Sequence, residues 1–299
     1  MSADSAADTP KERFAYRAYR GIAWLARTLP ERLGRRVFRA LSSIAYRTMP
    51  ALRSTVAANQ AQVIGRPTDD PLVQDSTREA FRLYGRYWQD TFLITRMGDE
   101  EFLRRFECIG LEHIRGAIEE GIGVVAVLPH MGNWDAAGRF MAESGLPVVT
   151  VAEELRPQRL FELFLDHRKE LGMEVLGLSS NGIGRQLVSM LSANRVVALV
   201  SDRELGERGI EVEMFGRRRM MPAGPALLSI TTGAALVPAP VYTTAKGWRC
   251  VMGPPIDVVP TGDRRADVER ITQRVATVFE RAIAAAPADW HLFQPGWEP

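Results

Sequence analysis

Cysteine is scarce in this sequence, and its scarcity excludes two kinds of architecture. The 299 residues include only Cys108 and Cys250, too few for a disulfide framework or for a metal cage built from thiolates. So few cysteines are consistent with a reducing, cytosolic setting. His113, His167 and His291 follow no metal-ligand spacing, so we expect no metal and no other cofactor.

Targeting and membrane-spanning segments are also lacking at the level of the sequence. The first ten residues contain Asp4 and Asp8 without a basic segment or a following apolar run, so no secretory signal is predicted. The longest uncharged stretch, residues 220–245, contains four prolines and two glycines. Because these residues break helices, we interpret the stretch as a short helix followed by a strand.

Acidic residues are rare in one part of the chain. Residues 11–53 contain eleven basic and two acidic side chains, a charge of +9, and the rest of the chain carries −7. A basic end on an acidic body indicates a surface for phosphate, anionic lipid or nucleic acid. No helix-turn-helix, RNA-recognition or zinc-finger pattern is present, so a nucleic-acid partner is not predicted.

The basic segment has helical spacing. After a tail predicted to be disordered (residues 1–10), two amphipathic helices separated by Pro30 are predicted from these apolar positions: Phe14, Ala18, Ile22, Leu25 and Leu29, then Leu33, Val37, Leu41 and Ile44. Their arginines suit either a solvated polar face over a packed stripe or a membrane-surface face that includes Phe14, Trp24 and Phe38. A third, aromatic-rich helix is predicted over 75–97.

The chain beyond residue 110 alternates between strand and helix patterns. Strands are predicted over 122–128, 147–152, 173–178, 195–200, 236–243 and 248–252. Helices are predicted over 158–171, 184–193, 225–232 and 267–285. This alternation predicts an α/β fold with a mixed, largely parallel sheet covered by helices. Residues 11–299 are interpreted as one domain whose first part, to about residue 105, is a helical cap.

The most informative motif follows the first strong strand. Residues 129–135 read Pro-His-Met-Gly-Asn-Trp-Asp, and functional sites in open α/β sheets lie at the carboxyl ends of strands. His130 and Asp135 are separated as H-x4-D, so a strand–helix turn could fold them together. A carboxylate beside an imidazole holds one tautomer and stabilises the protonated ring, as a general base requires.

Other sites of chemistry were weighed against this motif. No G-x-S-x-G nucleophile elbow is present, since residues 177–181 fail at the last position. Cys108 lacks a paired motif and is interpreted as structural. The glycines at 182 and 184 lack the third glycine and the acidic residue of a dinucleotide loop.

Several features together resemble a known family. They are H-x4-D after an apolar strand, an arginine in the helix before the next strand (Arg168), Ser-Asp-Arg-Glu at a later strand end (201–204), Phe215-Gly216 followed by Pro-x-Gly-Pro-Ala (222–226), and a tryptophan-rich C-terminus. From about residue 59 onward the chain resembles the bacterial lipid A late (lauroyl/myristoyl) acyltransferase family. Within this family, the residues of the motifs are most similar to those of the phosphatidylinositol mannoside acyltransferases of actinobacteria.

The resemblance implies an activity and a location. It implies a glycerol-3-phosphate-acyltransferase-like fold and a peripheral enzyme on the cytoplasmic face of the inner membrane. The enzyme would move palmitoyl from its CoA thioester to the 6-hydroxyl of a mannose on phosphatidylinositol mannosides, with acyl-CoA as a substrate rather than a cofactor. Alternatives are a lipid A-type or glycerol-phosphate-type acyltransferase with another acceptor, or a non-enzymatic protein that binds anionic membranes.

The resemblance also implies roles for individual residues. His130 would be the base that takes the proton of the acceptor hydroxyl, and either Asp135 or Glu204 would be its carboxylate partner. Arg168 and Asp202 would form an ion pair that shapes the pocket, or would bind sugar or phosphate. Transfer would be direct, with the oxyanion stabilised by backbone amides near Gly132 at the start of the following helix.

Overall fold

The structure is a computed structural model that describes residues 8–180, 182–204 and 209–297. The predicted disordered tail, residues 1–10, lies mostly outside these described residues. Its end starts helix α1 (Pro10–Thr28), where Thr9 and Glu12 form a reciprocal capping box. Pro10 occupies the first turn, where a missing N–H leaves no helical hydrogen bond unmade.

Four helices form the N-terminal part of the molecule. They are α1, α2 (Glu31–Thr48), α3 (Pro50–Ile64) and α4 (Pro71–Leu93). Helix α4 is central because it packs against the other three. It corresponds to the predicted third helix together with a 3₁₀ turn, Ile94–Arg96. Helix α3 was not predicted, because its apolar residues follow no clear helical stripe.

Helices α1 and α2 lie where two helices were predicted, but α2 turns a different face to the core. Gly34, Phe38 and Ser42 are buried, whereas Leu33 and Ile44 of the predicted inward stripe are exposed. Burial of Phe38 also removes it from the membrane-facing set that was considered from sequence.

Close helix packing explains this rotation. A Cβ built on Gly85 of α4 would lie 1.9 Å from the Ser42 hydroxyl oxygen, and one on Gly34 would lie 2.6 Å from the Gln89 side chain. Glycine at both positions therefore allows α2 and α4 to approach along small residues. Leu33, Leu41 and Ile44 of α2 remain exposed on the outside.

The α/β part contains a five-stranded sheet covered by helices. Its strands are β2 (Val124–Leu128), β3 (Val148–Ala152), β4 (Glu174–Gly177), β5 (Val196–Val200) and β8 (Ala235–Pro238). The order is β4-β3-β5-β2-β8, and every neighbouring pair is parallel. All five residues of β2 are buried, as expected for a central strand covered on both faces.

Helices and smaller strands complete this part. The helices are α5 (Asp99–Arg105), α6 (Leu111–Glu119), α7 (Trp134–Glu143), α8 (Gln158–Glu170), α9 (Ile183–Ser192), α10 (Gly224–Thr232) and α11 (Arg264–Ala285). The strands are β1 (Phe106–Ile109), β6 (Ile210–Met214), β7 (Arg217–Met221), β9 (Val241–Thr243) and β10 (Trp248–Val251). Strands β1, β10 and β9 form a second sheet, and β6 pairs with β7 as a hairpin.

One predicted strand, residues 236–243, is two strands in the structure. Pro238 and Pro240 interrupt it because proline cannot donate to the strand ladder. The first half, β8, joins the main sheet, and the second half, β9, joins the smaller sheet. The segment 220–245 therefore ends in two sheets rather than one.

The predicted α/β class with a largely parallel sheet is confirmed. Side chains of β2 alternate between two cores: Val125 and Val127 pack with the helices on one face, and Val124, Ala126 and Leu128 pack on the other. Within the described ranges, no helix combines the length and apolar character needed to cross a membrane.

Candidate active site

The carboxyl ends of β2 and β5 lie side by side at one edge of the sheet. Leu128 and Val200 are register partners in the two parallel strands, and the Ser201 N–H donates to the Leu128 carbonyl at 3.0 Å. His130 follows the first strand and Asp202 the second. Two strand ends therefore bring these side chains to the same edge of the sheet.

Asp202 is the carboxylate partner of His130. Its Oδ1 lies 2.5 Å from the ring Nδ1 and accepts the backbone N–H of His130 at 3.0 Å. The Asp202 side chain is fully buried, whereas the His130 side chain is 22% exposed. The histidine is thus held from inside the protein and remains open toward solvent.

The charge state of this pair follows from its surroundings. Burial acts to raise the pKa of Asp202, but attraction to His130 and hydrogen bonds from His130 and Trp290 outweigh it, so the pKa lies well below 3.8. An ionised carboxylate only accepts hydrogen bonds, so the imidazole carries its proton on Nδ1. The lone pair of the neutral ring is then on Nε2, the atom that a general base would use.

One predicted partner of the imidazole, Asp135, requires correction. It pairs with Arg168, whose Nε lies 2.8 Å from Asp135 Oδ1, and it lies in the first turn of α7, which Asn133 caps. The other predicted partner, Glu204, lies beside Gly209, just before residues 205–208, which lie outside the described residues, and its pairing with His130 stays a prediction. The predicted ion pair between Arg168 and Asp202 is likewise wrong, since each binds a different partner.

The Asp135–Arg168 pair is a buried connection between α7 and α8. The Tyr87 hydroxyl of α4 donates to Asp135 Oδ2 at 3.4 Å. Burial, and then the charge of Asp135, raise the pKa of Tyr87 well above 10.0. Burial opposes the charge of Arg168, but Asp135 outweighs it and raises the pKa of the guanidinium. Three helices are thereby joined beneath the His130 turn.

A cleft of about 270 Å³ opens beside His130. Aromatic side chains form one wall: Tyr84, Tyr87 and Trp88 from α4, Trp134 from α7, and Phe161 and Phe164 from α8. Glu153, Arg168 and Arg203 add charge, with Glu153 and Arg203 3.5 Å apart. The cleft therefore combines an apolar wall with a charged rim.

A second, apolar cavity of about 70 Å³ continues from this cleft into the sheet–helix core. The two spaces share Trp134, Val151, Arg168 and Val200 as lining residues. The inner cavity is lined by small and aliphatic side chains of the sheet and of α6 and α7, among them Ile114, Ala126, Leu128, Met141, Val148 and Ala198. The inner cavity is therefore apolar, as is typical of the interior of a ligand pocket.

The C-terminal segment binds the His130 turn from the other side. Trp290 forms a bridge with Met131, the Gly132 N–H donates to the Asp289 carbonyl at 3.1 Å, and the His291 N–H donates to the His130 carbonyl at 2.7 Å. The His291 ring Nε2 donates to the Gly132 carbonyl at 3.0 Å. Burial lowers the pKa of His291 to about 3, so this ring is neutral near pH 7.

Gly132 satisfies a backbone requirement of the same turn. Its φ is +60°, and a Cβ there would lie 2.2 Å from the Val241 carbonyl oxygen. However, its N–H already donates to Asp289, which corrects the prediction that this amide stabilises an oxyanion. The N–H groups of the first turn of α7 lie at the positive end of the helix dipole, and that of Ala136 donates to the Asn133 side chain.

Neither Arg219 nor the tryptophan-rich C-terminus could be assigned to the site from sequence spacing. Arg219 of β7 donates to the Asp202 carbonyl at 2.6 Å, and its guanidinium lies 5.6 Å from the Trp290 ring and 5.2 Å from the Trp297 ring. The tryptophan-rich C-terminus was noticed, but its contact with Asp202 depends on folding across many residues. Among the described residues, no group of three or more His, Cys, Asp or Glu side chains is arranged to hold a metal.

Comparison with known proteins identifies the family of this chain. Residues 4–298 match the family described as bacterial lipid A biosynthesis acyltransferases. The chain is 40% identical over 246 residues to a phosphatidylinositol mannoside acyltransferase of Mycobacterium tuberculosis, covering 80% of this chain and 75% of the relative. It is 36% identical over 275 residues to the protein of the same name from Mycolicibacterium smegmatis, covering 91% and 88%.

A more distant relative is also recognised. A lipid A biosynthesis acyltransferase of Haemophilus influenzae is 23% identical over 189 residues, which is 62% of this chain and 57% of the relative. The family match covers nearly all of the chain, including both strand ends of the site. The chain therefore belongs to the bacterial lipid A biosynthesis acyltransferase family, and it is an acyltransferase.

Proposed function

We propose that this enzyme transfers a palmitoyl group from palmitoyl-CoA to the 6-hydroxyl of a mannose on phosphatidylinositol mannosides. The observation that carries the proposal is the ring of His130, held at Nδ1 by Asp202 and open to a cleft that continues into an apolar cavity. The names of the two mycobacterial relatives support the choice of acceptor.

In the proposed reaction, His130 is the general base. Nε2 takes the proton of the sugar hydroxyl as its oxygen attacks the thioester carbonyl. The tetrahedral intermediate then collapses, the C–S bond breaks, and His130 returns the proton to the CoA thiolate. General-base assistance of this kind is worth roughly 10²–10⁴-fold in rate. Transfer is direct, with no acyl-enzyme, metal or other cofactor.

Asp202 stabilises the positive charge that develops on His130 during this step. Its carboxylate is fully buried and hydrogen-bonded, so it interacts with the imidazolium in a region of low dielectric. N–H groups in the first turn of α7 lie at the positive end of a helix dipole and stabilise the oxyanion. The H-x4-D aspartate, Asp135, acts indirectly by holding Arg168 at the cleft wall.

The inner cavity is the proposed site for the acyl chain. Burial of a methylene group contributes about 0.8 kcal/mol, so the part of the chain that enters this cavity gains affinity there. The charged rim formed by Glu153, Arg168 and Arg203 is the proposed contact for the sugar and phosphate of the acceptor. Carboxylate and guanidinium groups suit hydroxyls and phosphate, respectively.

We further propose that α1 and α2 dock on the anionic cytoplasmic face of the inner membrane. Phe14, Trp24 and Ile44 are 74%, 63% and 55% exposed, and exposed arginines surround them. Tyr19 of α1 lies 5.1 Å from Trp88 and 5.6 Å from Phe164, both of which line the cleft. This docking would bring a lipid-anchored acceptor to His130 without a spanning helix.

The reaction is tested with purified protein, palmitoyl-CoA and phosphatidylinositol mannosides of defined mannose number. We expect release of free CoA thiol and a product heavier by one palmitoyl group, with fragmentation placing the acyl chain on the mannose 6-hydroxyl. His130→Ala should abolish both. Parallel reactions with a lipid A precursor and with glycerol 3-phosphate test the other acceptors. Faster acylation of either one would overturn the proposed acceptor, and full activity of His130→Ala would overturn the proposed base.

Membrane docking is tested by vesicle flotation with phosphatidylinositol-rich liposomes. The exposed arginines Arg32, Arg36 and Arg39 are changed together to glutamine, and Arg104, Arg218 and Arg265 are changed as a matched control. Arg35 is left intact because it pairs with the buried Asp90. We expect weaker flotation at low salt only for the first triple variant, since each basic residue near an anionic surface is worth about 1 kcal/mol. Equal flotation of both variants would contradict docking through α2.

A further inference from the structure

We propose that Trp290 is a positioning residue, whose indole N–H fixes the Asp202 carboxylate and thereby the His130 ring. This inference rests on the proposed function only where it concerns turnover. The contact itself lies on the side of the pair away from the cleft, so Trp290 acts through Asp202 rather than on substrate.

The two carboxylate oxygens of Asp202 have separate partners. Oδ1 binds the ring and the backbone N–H of His130, and Oδ2 accepts the Trp290 Nε1–H at 2.7 Å. Both side chains are fully or almost fully buried. A buried carboxylate with an unpaired oxygen is costly, so the indole N–H fixes which oxygen faces the histidine.

Backbone hydrogen bonds complete a ring of contacts that links His130, Trp290 and Asp202. The residues on either side of Trp290 bind the backbone of the His130 turn, through the Asp289 carbonyl and the His291 N–H. The indole then reaches across to Asp202, which returns to His130. Because each member is held by two neighbours, loss of the indole N–H frees the carboxylate to rotate while the surrounding backbone remains tied.

The titratable and charged groups facing this pair come from several elements. Arg219 of β7 binds the Asp202 carbonyl, Arg168 and Arg203 line the cleft with His130, and the neutral His291 lies on the C-terminal segment. Glu204 follows on the same chain segment as Asp202. None of these groups is removed when Trp290 becomes phenylalanine, so a change in the pH profile reports the lost N–H. Without that donor the carboxylate is more basic and the pair binds its proton more tightly.

The variant Trp290→Phe keeps an aromatic ring and removes the donor. Trp297→Phe is the matched control, because Trp297 Nε1 is buried without an acceptor among the described residues. For Trp290→Phe we expect kcat to fall roughly tenfold to a hundredfold, the range for a hydrogen bond to a charged group, with KM for the acyl donor unchanged within about twofold. The acidic limb of the kcat–pH profile should move to higher pH. The control should retain the wild-type profile.

A second measurement needs no substrate. Nitrogen-15 NMR of histidine-labelled protein gives the tautomer and the ring-nitrogen chemical shifts of His130, assigned with the His130→Gln variant. We expect Nδ1–H in the wild type and changed ring-nitrogen chemical shifts in Trp290→Phe, because the carboxylate that holds Nδ1 has lost a hydrogen bond. If the wild type transfers no acyl group, the proposed function fails, and these chemical shifts alone decide the role of Trp290. Equal ring-nitrogen chemical shifts and equal kcat values in the two tryptophan variants would overturn the positioning role.

Two further variants guard against misfolding and indirect effects. If Trp290→Phe does not fold, β-(3-benzothienyl)alanine at position 290 replaces only the indole N–H by sulfur. This variant should show the same change in the kcat–pH profile. In an Asp202→Asn background, removing the indole N–H should no longer move the pH profile, because its acceptor is neutral. An unchanged shift in that background would show that Trp290 acts by another route.

Discussion

One oxygen of Asp202, Oδ1, accepts hydrogen bonds from both the ring Nδ1 and the backbone N–H of His130. The carboxylate therefore fixes the position of the turn as well as the tautomer of the ring. This contact spans two neighbouring strand ends, and it gives the imidazole a single orientation toward the cleft.

Replacement of Asp202 by asparagine tests this double contact. An asparagine oxygen can still accept the backbone N–H, but no negative charge remains to stabilise the imidazolium. We expect kcat to fall by about 10²–10⁴-fold while the far-ultraviolet circular dichroism spectrum is retained. Asp166→Asn, in α8, is the matched control and should keep near wild-type kcat. A value of kcat for Asp202→Asn within threefold of wild type would contradict the assignment.

The buried pair of Asp135 and Arg168 should contribute to stability in a coupled manner. Arg168→Met leaves Asp135 as an unpaired buried carboxylate, so we expect the free energy of unfolding to fall by about 3–5 kcal/mol. Adding Asp135→Leu removes that unpaired charge. The double variant should therefore be more stable than Arg168→Met alone, as measured by urea denaturation. Additive losses would show that the two side chains do not interact.

Gly132 and Gly145 provide a matched pair for the backbone of the His130 turn. Both have positive φ, +60° and +76°, but only at Gly132 would a Cβ meet backbone, while nothing lies within 4 Å of one at Gly145. Gly145→Ala should cost about 1–2 kcal/mol, and Gly132→Ala about 1–3 kcal/mol more because of the clash. Only Gly132→Ala should also lower kcat, measured by CoA release. Equal costs would show that the turn can relax.

The neutral His291 should make the protein sensitive to acid. Its pKa falls from 6.5 to about 3 on folding because it is buried, so below pH 6.5 the unfolded chain binds a proton that the folded state does not. Its contribution to stability is fully present above pH 6.5 and is lost progressively toward pH 3. The expected slope is about 1.4 kcal/mol per pH unit.

The slope is measured by urea unfolding between pH 6 and pH 4.5. His291→Gln retains an N–H donor for the Gly132 carbonyl but does not titrate, so it should lose this part of the pH dependence. His167 is also buried, and burial lowers its pKa, so His167→Gln should reduce the slope in the same direction. Identical slopes in His291→Gln and the wild type would show that His291 is not the group that gains a proton on unfolding.

The predictions that succeeded from sequence depend on short-range patterns. The apolar run of β2, the strand-end position of His130 and the alternation of strand and helix are each legible within a few residues, because side-chain periodicity is local. The strand-end position of Asp202 was recognised in the same way, because it directly follows an apolar run. What remained open was the partner of the imidazole, because Asp135 and Glu204 were both compatible with sequence spacing.

The sequence by itself determined the α/β class, the acyltransferase resemblance and the histidine at the centre of the site. Only the tertiary structure decided that Asp202 is the imidazole partner and that Asp135 binds Arg168 instead. It also decided that α2 packs through Gly34 and Ser42. These outcomes depend on which layers of the fold meet and how closely they pack. The spacing of residues along the sequence does not reveal contacts between residues that are far apart in the chain. The contact of Trp290 with Asp202, across 88 residues, therefore exists only in the folded protein.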